Sequence, residues 1–150
     1  MKISVVIPTM NEEESIGQVI DEVDEALSGR EYEILVVDTE STDKTRDIAR
    51  SMGARVVDEP RRGYGRAYKT GFEEADGDII ATLDADCTYP PSKIPQMVVM
   101  IEEEGYEFIS TDRLSNIDSE AMSIVHRFGN WVLKTTMNIL FRMHVNDSQS

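Results

Sequence analysis

Asp78-Ile79-Ile80-Ala81-Thr82-Leu83-Asp84-Ala85-Asp86 is the stretch on which the fold turns. Its apolar part is short, lacks polar alternation and reads as a strand buried on both faces, the pattern of a parallel sheet. Two carboxylates follow at the strand's carboxyl end, where open parallel sheets bind ligands. In extended chain, residues two apart point to the same side, so Asp84 and Asp86 can face one cation or one ligand. Hard oxygen donors suit Mg²⁺ or Mn²⁺, which usually bridge to substrate phosphates. On position alone the tripeptide is equally a polar turn ahead of Pro90-Pro91, because Asp is a common turn former.

Working outward, the same strand-then-helix rhythm recurs. Ile3 to Ile7 is a β-branched strand broken by Pro8, after which Asn11 is placed to cap a helix with Glu12, Glu13 and Glu14 in its first turn. Ile16, Val19, Ile20, Val23 and Leu27 hold the helical period, and Gly29 marks a stop. Ile34 to Val37 is a second strand ending at Asp38, and a helix runs from Asp43 to Gly53. Arg55 to Asp58 is a third strand, followed by the loop Glu59 to Gly65 and a helix to Ala75. Beyond the fourth strand, a Pro-led helix spans Ser92 to Glu104, and Tyr106 to Thr111 reads as a further strand. This alternation predicts a Rossmann-like, doubly wound α/β sandwich, its mostly parallel sheet carrying helices on both faces. Pro8 to Glu12, Asp38 to Ser41, Arg62 to Gly65 and Asp84 to Asp86 then converge on one sheet edge, which favours a site over four unrelated turns.

Composition narrows the chemistry. The 150 residues suit one domain, and one cysteine with two histidines permits neither an internal disulfide nor a closed zinc site. A cytoplasmic setting is the default, with no disulfide partner. No run of about 18 apolar residues and no basic-then-apolar leader is present. Fifteen basic against 29 acidic side chains give a formal charge of -14, which argues against nucleic acid as a partner. A phosphate-bearing ligand therefore needs local help, and a divalent metal at Asp84 and Asp86 supplies it. From Ala121 to Asn146 there is no Asp or Glu, while Arg127, Lys134 and Arg142 stand among apolar residues. That segment is either a helix pair packed on the sheet or a membrane-surface element.

The first loop argues against a dinucleotide site. Such a site needs a glycine-rich turn against the pyrophosphate, whereas Pro8-Thr9-Met10-Asn11-Glu12-Glu13-Glu14 has no glycine and three carboxylates. Gly63-Tyr64-Gly65 is a lone GxG, more often a turn than a phosphate cradle. Cys87 has no His nearby in sequence, and His126, His144 and Trp131 read as surface or packing residues.

Taken together, Val5-Val6-Ile7-Pro8-Thr9 with Asn11-Glu12-Glu13, Val37-Asp38 with Ser41-Thr42-Asp43 and Thr45, Arg62-Gly63-Gly65-Ala67 with Gly71, and Asp84-Ala85-Asp86 with Pro90-Pro91 resemble the family 2 glycosyltransferases, whose fold is GT-A. Within that family the chain looks most like the polyprenyl-phosphate (dolichyl-phosphate) mannose or glucose synthases. Arg113 and Arg127 stand where those enzymes carry arginines, and Asp147-Ser148-Gln149-Ser150 resembles the start of their Asp-x-Gln-Ser-Gly motif. The resemblance makes residues 1–150 one GT-A domain cut short at its acceptor-side, C-terminal end.

The resemblance implies an inverting transfer of a hexose from a GDP- or UDP-sugar to a polyprenyl phosphate, with Mg²⁺ or Mn²⁺, at the cytoplasmic face of a membrane. It implies that Pro8, Thr9 and Glu12 line the nucleotide pocket, that Asp38 hydrogen-bonds the base, and that Gly63 lets the backbone approach the nucleotide. Asp84, with Ala85, serves the ribose and metal region, and Asp86 is the principal metal ligand. Arg113 and Arg127, with Gln149, hold the acceptor phosphate. Three positions depart from the pattern: Met10 replaces an aromatic residue, Thr39 a second acid, and Thr88 a residue that assists the metal. A saccharide or lipid hydroxyl acceptor is one alternative, and a non-catalytic nucleotide-sugar-binding domain is another.

Overall fold

A computed structural model describes residues 1–111 and Thr135. The chain divides into two compact units, Met1–Glu104 and Gly105–Ser150. The first holds β1 (Ile3–Thr9), α1 (Ile16–Ala26), β2 (Tyr32–Asp38), α2 (Thr45–Ser51), β3 (Arg55–Asp58), α3 (Tyr64–Glu74), β4 (Ile79–Thr82), a 3-10 turn (Pro91–Lys93) and α4 (Ile94–Glu104).

The four strands are parallel in the order β3-β2-β1-β4. The winding reverses between β1 and β4, and that reversal opens a crevice at the carboxyl ends. Register places Thr9 opposite Asp38 and Asp38 opposite Asp58, so the polar strand ends are level. Alternate residues of β1 feed two cores. Ile3, Val5 and Ile7 pack with Ile16, Val19, Ile20 and Val23 of α1, Ala49 of α2, and Ile94 and Val98 of α4. Val6 packs on the other face with Leu35, Val37 and Ala67 of α3. The sheet is therefore covered on both sides, as its unbroken apolar runs require.

Two boundaries differ from the sequence expectation. Asn11 has φ 59°, a left-handed conformation that cannot begin a helix, so Glu12 to Ser15 form a separate turn closed by Ile16 N–H on the Glu12 carbonyl at 2.9 Å. Glu12, Glu13 and Glu14 thus precede α1 rather than occupy its first turn. Residues 106–111 form no ladder among the described residues, so the strand expected there is absent. Glu107, Ser110 and Thr111 dilute its apolar run, so the segment lacks the unbroken apolar pattern of the buried strands. No helix among the described residues is long and apolar enough to cross a membrane.

Helix α3 approaches the sheet closely because Gly71 lacks a side chain. A Cβ there would lie 2.3 Å from Val6 Cγ1 and 3.2 Å from Val37 Cγ2. Gly65, earlier on the same helix, has open space around it. Gly71→Ala should lower stability by about 1–3 kcal/mol through overpacking. Gly65→Ala should be neutral or stabilising by up to about 1 kcal/mol. Urea unfolding midpoints of the two variants check the contrast.

Candidate functional site

The carboxyl ends of β1 and β4 and the start of α3 enclose a cleft of about 340 Å³. Its walls are Pro8, Thr9, Met10, Glu12, Thr39, Gly63, Tyr64, Ala67, Asp84, Ala85 and Asp86. Seven of the residues expected from sequence therefore meet at one place: Pro8, Thr9, Glu12, Gly63, Asp84, Ala85 and Asp86. A second recess of about 320 Å³ is lined by Asn11 to Ser15, Asp43 and Asp86, so Glu12 and Asp86 border both.

A clasp between two loops shapes the first wall. The backbone N–H groups of Asn11, Glu12 and Glu13 donate in turn to Ser41 Oγ at 2.8 Å, Thr45 Oγ1 at 2.8 Å and Asp43 Oδ2 at 3.1 Å. The clasp is reciprocal. Asn11 Oδ1 accepts from Thr42 N–H at 2.8 Å, and Glu13 Oε2 accepts from Lys44 N–H at 3.0 Å. Asn11, Glu40 and Cys87 all have φ between 54° and 60°, one in each loop that follows β1, β2 and β4. Left-handed non-glycine residues cost of order 1–3 kcal/mol each and gather at functional sites.

Asp38 lies beneath the cleft rather than on its surface. It is fully buried. Its Oδ2 accepts from Thr9 Oγ1 at 3.0 Å and Ser41 Oγ at 2.5 Å, while Oδ1 accepts from Ser41 N–H at 3.0 Å and lies 3.4 Å from Arg46 Nε. Every oxygen is used, so in this arrangement the carboxylate ties β1 to the loop after β2. Arg46 also reaches the Ser41 carbonyl at 2.6 Å and Asp58 at 3.3 Å. Sequence reasoning missed Arg46. Its place in the first turn of α2, one turn after an acidic strand end, was the available signal.

The Asp84-Ala85-Asp86 turn is anchored by its middle residue. Ala85 is buried in the core beside Leu83, which leaves the two carboxylates at the cleft. Asp86 Oδ1 accepts from Thr88 N–H at 3.0 Å. Asp84 Oδ1 accepts from the Tyr64 hydroxyl and from Tyr68 at 3.4 Å, and the two hydroxyls are 3.1 Å apart. Burial, then the bond to Asp84, pushes the Tyr64 phenol up to about 12. Burial, then the contact with Tyr64, raises Tyr68 as well. Both are donors at neutral pH. The tyrosines were also missed. Their four-residue spacing on α3 was visible, but their partner lies 16 and 20 residues on, across a strand.

Cys87 is exposed, and partial burial together with nearby Glu22, Asp86 and Glu12 pushes its thiol up, which disfavours the thiolate. No group of three or more metal-ligating side chains exists among the described residues. Two hard carboxylates suit an ion that completes its shell with phosphate oxygens and water. Arg113, Arg127 and Gln149 lie outside the described residues.

The family described as Glycosyl transferase family 2 matches residues 4–145. A dolichyl-phosphate hexose transferase of Haloferax volcanii is 36% identical over 97% of this chain and 62% of its own length. A dolichol-phosphate mannosyltransferase of Pyrococcus furiosus is 37% identical over 68% of this chain and 30% of its own. The chain thus spans about three-fifths or less of these relatives. Among solved structures, glucosyl-3-phosphoglycerate synthase of Mycobacterium tuberculosis, in complex with Mn²⁺, UDP-glucose and glycerol 3-phosphate, superposes with a TM-score of 0.61 at 34% identity, over 69% of this chain and 41% of that one. The same synthase with Mn²⁺, UDP-glucose and phosphoglyceric acid gives 0.59 at 35% identity, over 67% and 39%.

The loop that delivers Gly63 and Tyr64 is fixed by Glu59. This carboxylate is only 2% exposed. It accepts from Arg61 N–H at 2.9 Å, Arg61 Nε at 2.7 Å, Arg61 Nη2 at 2.8 Å and Thr70 Oγ1 at 2.5 Å. The Arg61 bonds, then Thr70, hold it far below the usual carboxylate range. A depressed folded value stabilises above the unfolded value of roughly 4.3, and the benefit fades as pH falls. Glu59→Gln should therefore be less stable than wild type at neutral pH. The gap should narrow below about pH 4. Thermal unfolding of both proteins across that range checks it.

Proposed function

The chain belongs to glycosyl transferase family 2 and carries its GT-A fold, and from that premise we propose that the protein transfers a hexose from a nucleoside-diphosphate sugar to a polyprenyl phosphate. The observation that carries this reading is the cleft where Asp84 and Asp86 face Pro8, Thr9, Glu12 and Gly63 across the β1–β4 crevice. Relatives named as dolichyl-phosphate and undecaprenyl-phosphate transferases support the acceptor.

In this reading Pro8, Thr9 and Glu12 seat the nucleotide, Gly63 gives its backbone room, and Asp38, buried beneath, holds the loop that meets the base. Asp84 serves the ribose and metal region. Asp86, with Asp84, would hold Mg²⁺ or Mn²⁺, which when bound would neutralise charge on the leaving diphosphate. An acceptor phosphate oxygen attacks the anomeric carbon from the side opposite the diphosphate. The new C–O bond forms as the bond to the diphosphate breaks, and the anomeric configuration inverts. A phosphate acceptor is already anionic, so it needs positioning and charge compensation more than a base. Arg113 and Arg127 would supply paired donors to it, with Gln149 beside them. The acceptor is a lipid, so the reaction belongs at a membrane surface, here the cytoplasmic face.

A hydroxyl acceptor is the second reading, favoured by a solved neighbour that holds phosphoglyceric acid. It would need a carboxylate base. Labelled sugar appearing on polyprenyl phosphate, but not on polyprenol, supports the first reading, and the reverse result supports the second. Donor binding has its own check. Titration calorimetry with GDP and UDP should show affinity for one of them that rises when Mn²⁺ is added, and Asp86→Asn should remove the rise. Metal-independent binding, or no binding to either nucleotide, overturns the reading.

A further inference from the structure

Tyr64 opens α3 at the cleft with 61% of its surface exposed, yet its hydroxyl is committed to Asp84 rather than left to water. An exposed tyrosine gains little from burial, so a directed bond of this kind orders two side chains at a cost in rotamer freedom. Tyr68 stands one turn further along. Its ring meets that of Tyr64 edge-on at 4.9 Å and leans on Phe72 at 5.8 Å, which holds the pair in place.

Both hydroxyls converge on Oδ1 of Asp84, and Oδ2 has no protein partner among the described residues. Asp84 is steered by side chains from another element. The start of α3, already fixed through Gly63 and the Glu59 anchor, is thereby tied to the end of β4.

We propose that Tyr64, backed by Tyr68, is a positioning residue that pins Oδ1 of Asp84 and so leaves Oδ2 as the oxygen offered to a divalent cation or to the ribose of the nucleotide. This rests on the donor-binding reading above and names two residues that act on it through Asp84. A carboxylate free to rotate presents either oxygen and must be ordered when the ligand arrives. A pinned one has met that cost during folding. The pinned oxygen also spreads part of its charge into two O–H donors, which eases the approach of an anionic diphosphate to a cleft lined by Glu12, Asp84 and Asp86.

The test pairs binding with spectroscopy in Tyr64→Phe, Tyr68→Phe, Asp84→Ala and the Tyr64→Phe/Asp84→Ala double variant. Phenylalanine keeps the ring and removes only the hydroxyl. Calorimetry with Mn²⁺ and the nucleotide that wild type prefers should show Tyr64→Phe binding about three- to tenfold weaker, with a smaller loss for Tyr68→Phe. The Tyr64→Phe loss should vanish in the Asp84→Ala background, since the two act as one unit. In the nucleotide-free proteins, Asp84→Ala should shift the near-ultraviolet tyrosine absorption, and that shift should be missing once Tyr64 is Phe. Equal binding by wild type and Tyr64→Phe overturns the inference, as does a loss of the same size in both backgrounds. If wild type shows metal-dependent nucleotide binding and only the tyrosine effects fail, the inference falls alone. If wild type shows no such binding, the donor reading falls, and the inference with it.

Discussion

β1 is hydrogen-bonded in parallel along both edges and buried on both faces, and the rest of the described fold hangs on that strand. Because β2 lies on one side of β1 and β4 on the other, the crossover from β1 to β2 and the one from β3 to β4 run in opposite directions across the sheet. The gap between those crossovers is where side chains from β1, β4 and α3 can meet without filling it. A polar residue facing either core from the middle of β1 would disturb both neighbours at once. Ser4 is the exception that shows the rule: it is fully buried, but donates to Glu33 at 2.6 Å and accepts from Gly77 N–H at 2.8 Å.

With the strand ends level, the loops need little length to reach one another. The clasp joins residues 11 to 13 to residues 41 to 45 through side chains that accept successive backbone N–H groups. These backbone N–H groups, in a turn ahead of α1, are satisfied by a neighbouring loop, and this lets Asn11 keep its left-handed conformation. Asp38 sits under the same junction, with Arg46 balancing its charge. The loops are thus held by polar contacts that a short sequence window does not reveal.

That difference explains what could be read from the chain and what could not. Ile3 to Ile7, Ile34 to Val37 and Ile79 to Leu83 are legible as parallel strands because burial on both faces forces unbroken apolar runs. Pro8, Thr9, Glu12, Gly63 and the two aspartates are legible as neighbours because topology alone brings strand ends together. Asn11 as a helix cap was not, since its φ is set by Ser41 and Thr42 from the next unit. Residues 106–111 look strand-like locally, but a strand is a property of a pair. Tyr64 and Tyr68 belong to the same class of miss, for their meaning comes from Asp84, across a strand. Local chemistry declares the elements, whereas contacts between distant loops must be seen.

The charge pattern follows from the same division. Arg46 offsets Asp38, and Arg61 offsets Glu59, so the buried carboxylates are balanced within the protein. The cleft is lined by Glu12, Asp84 and Asp86 with no Lys or Arg among its lining residues, and the Tyr64 and Tyr68 hydroxyls are directed to one oxygen of Asp84. For the anionic diphosphate of the proposed donor these three carboxylates are like charges at short range, which is why the proposal brings a cation with it. The proposed need for a cation thus rests on where the fold places these three carboxylates rather than on overall acidity.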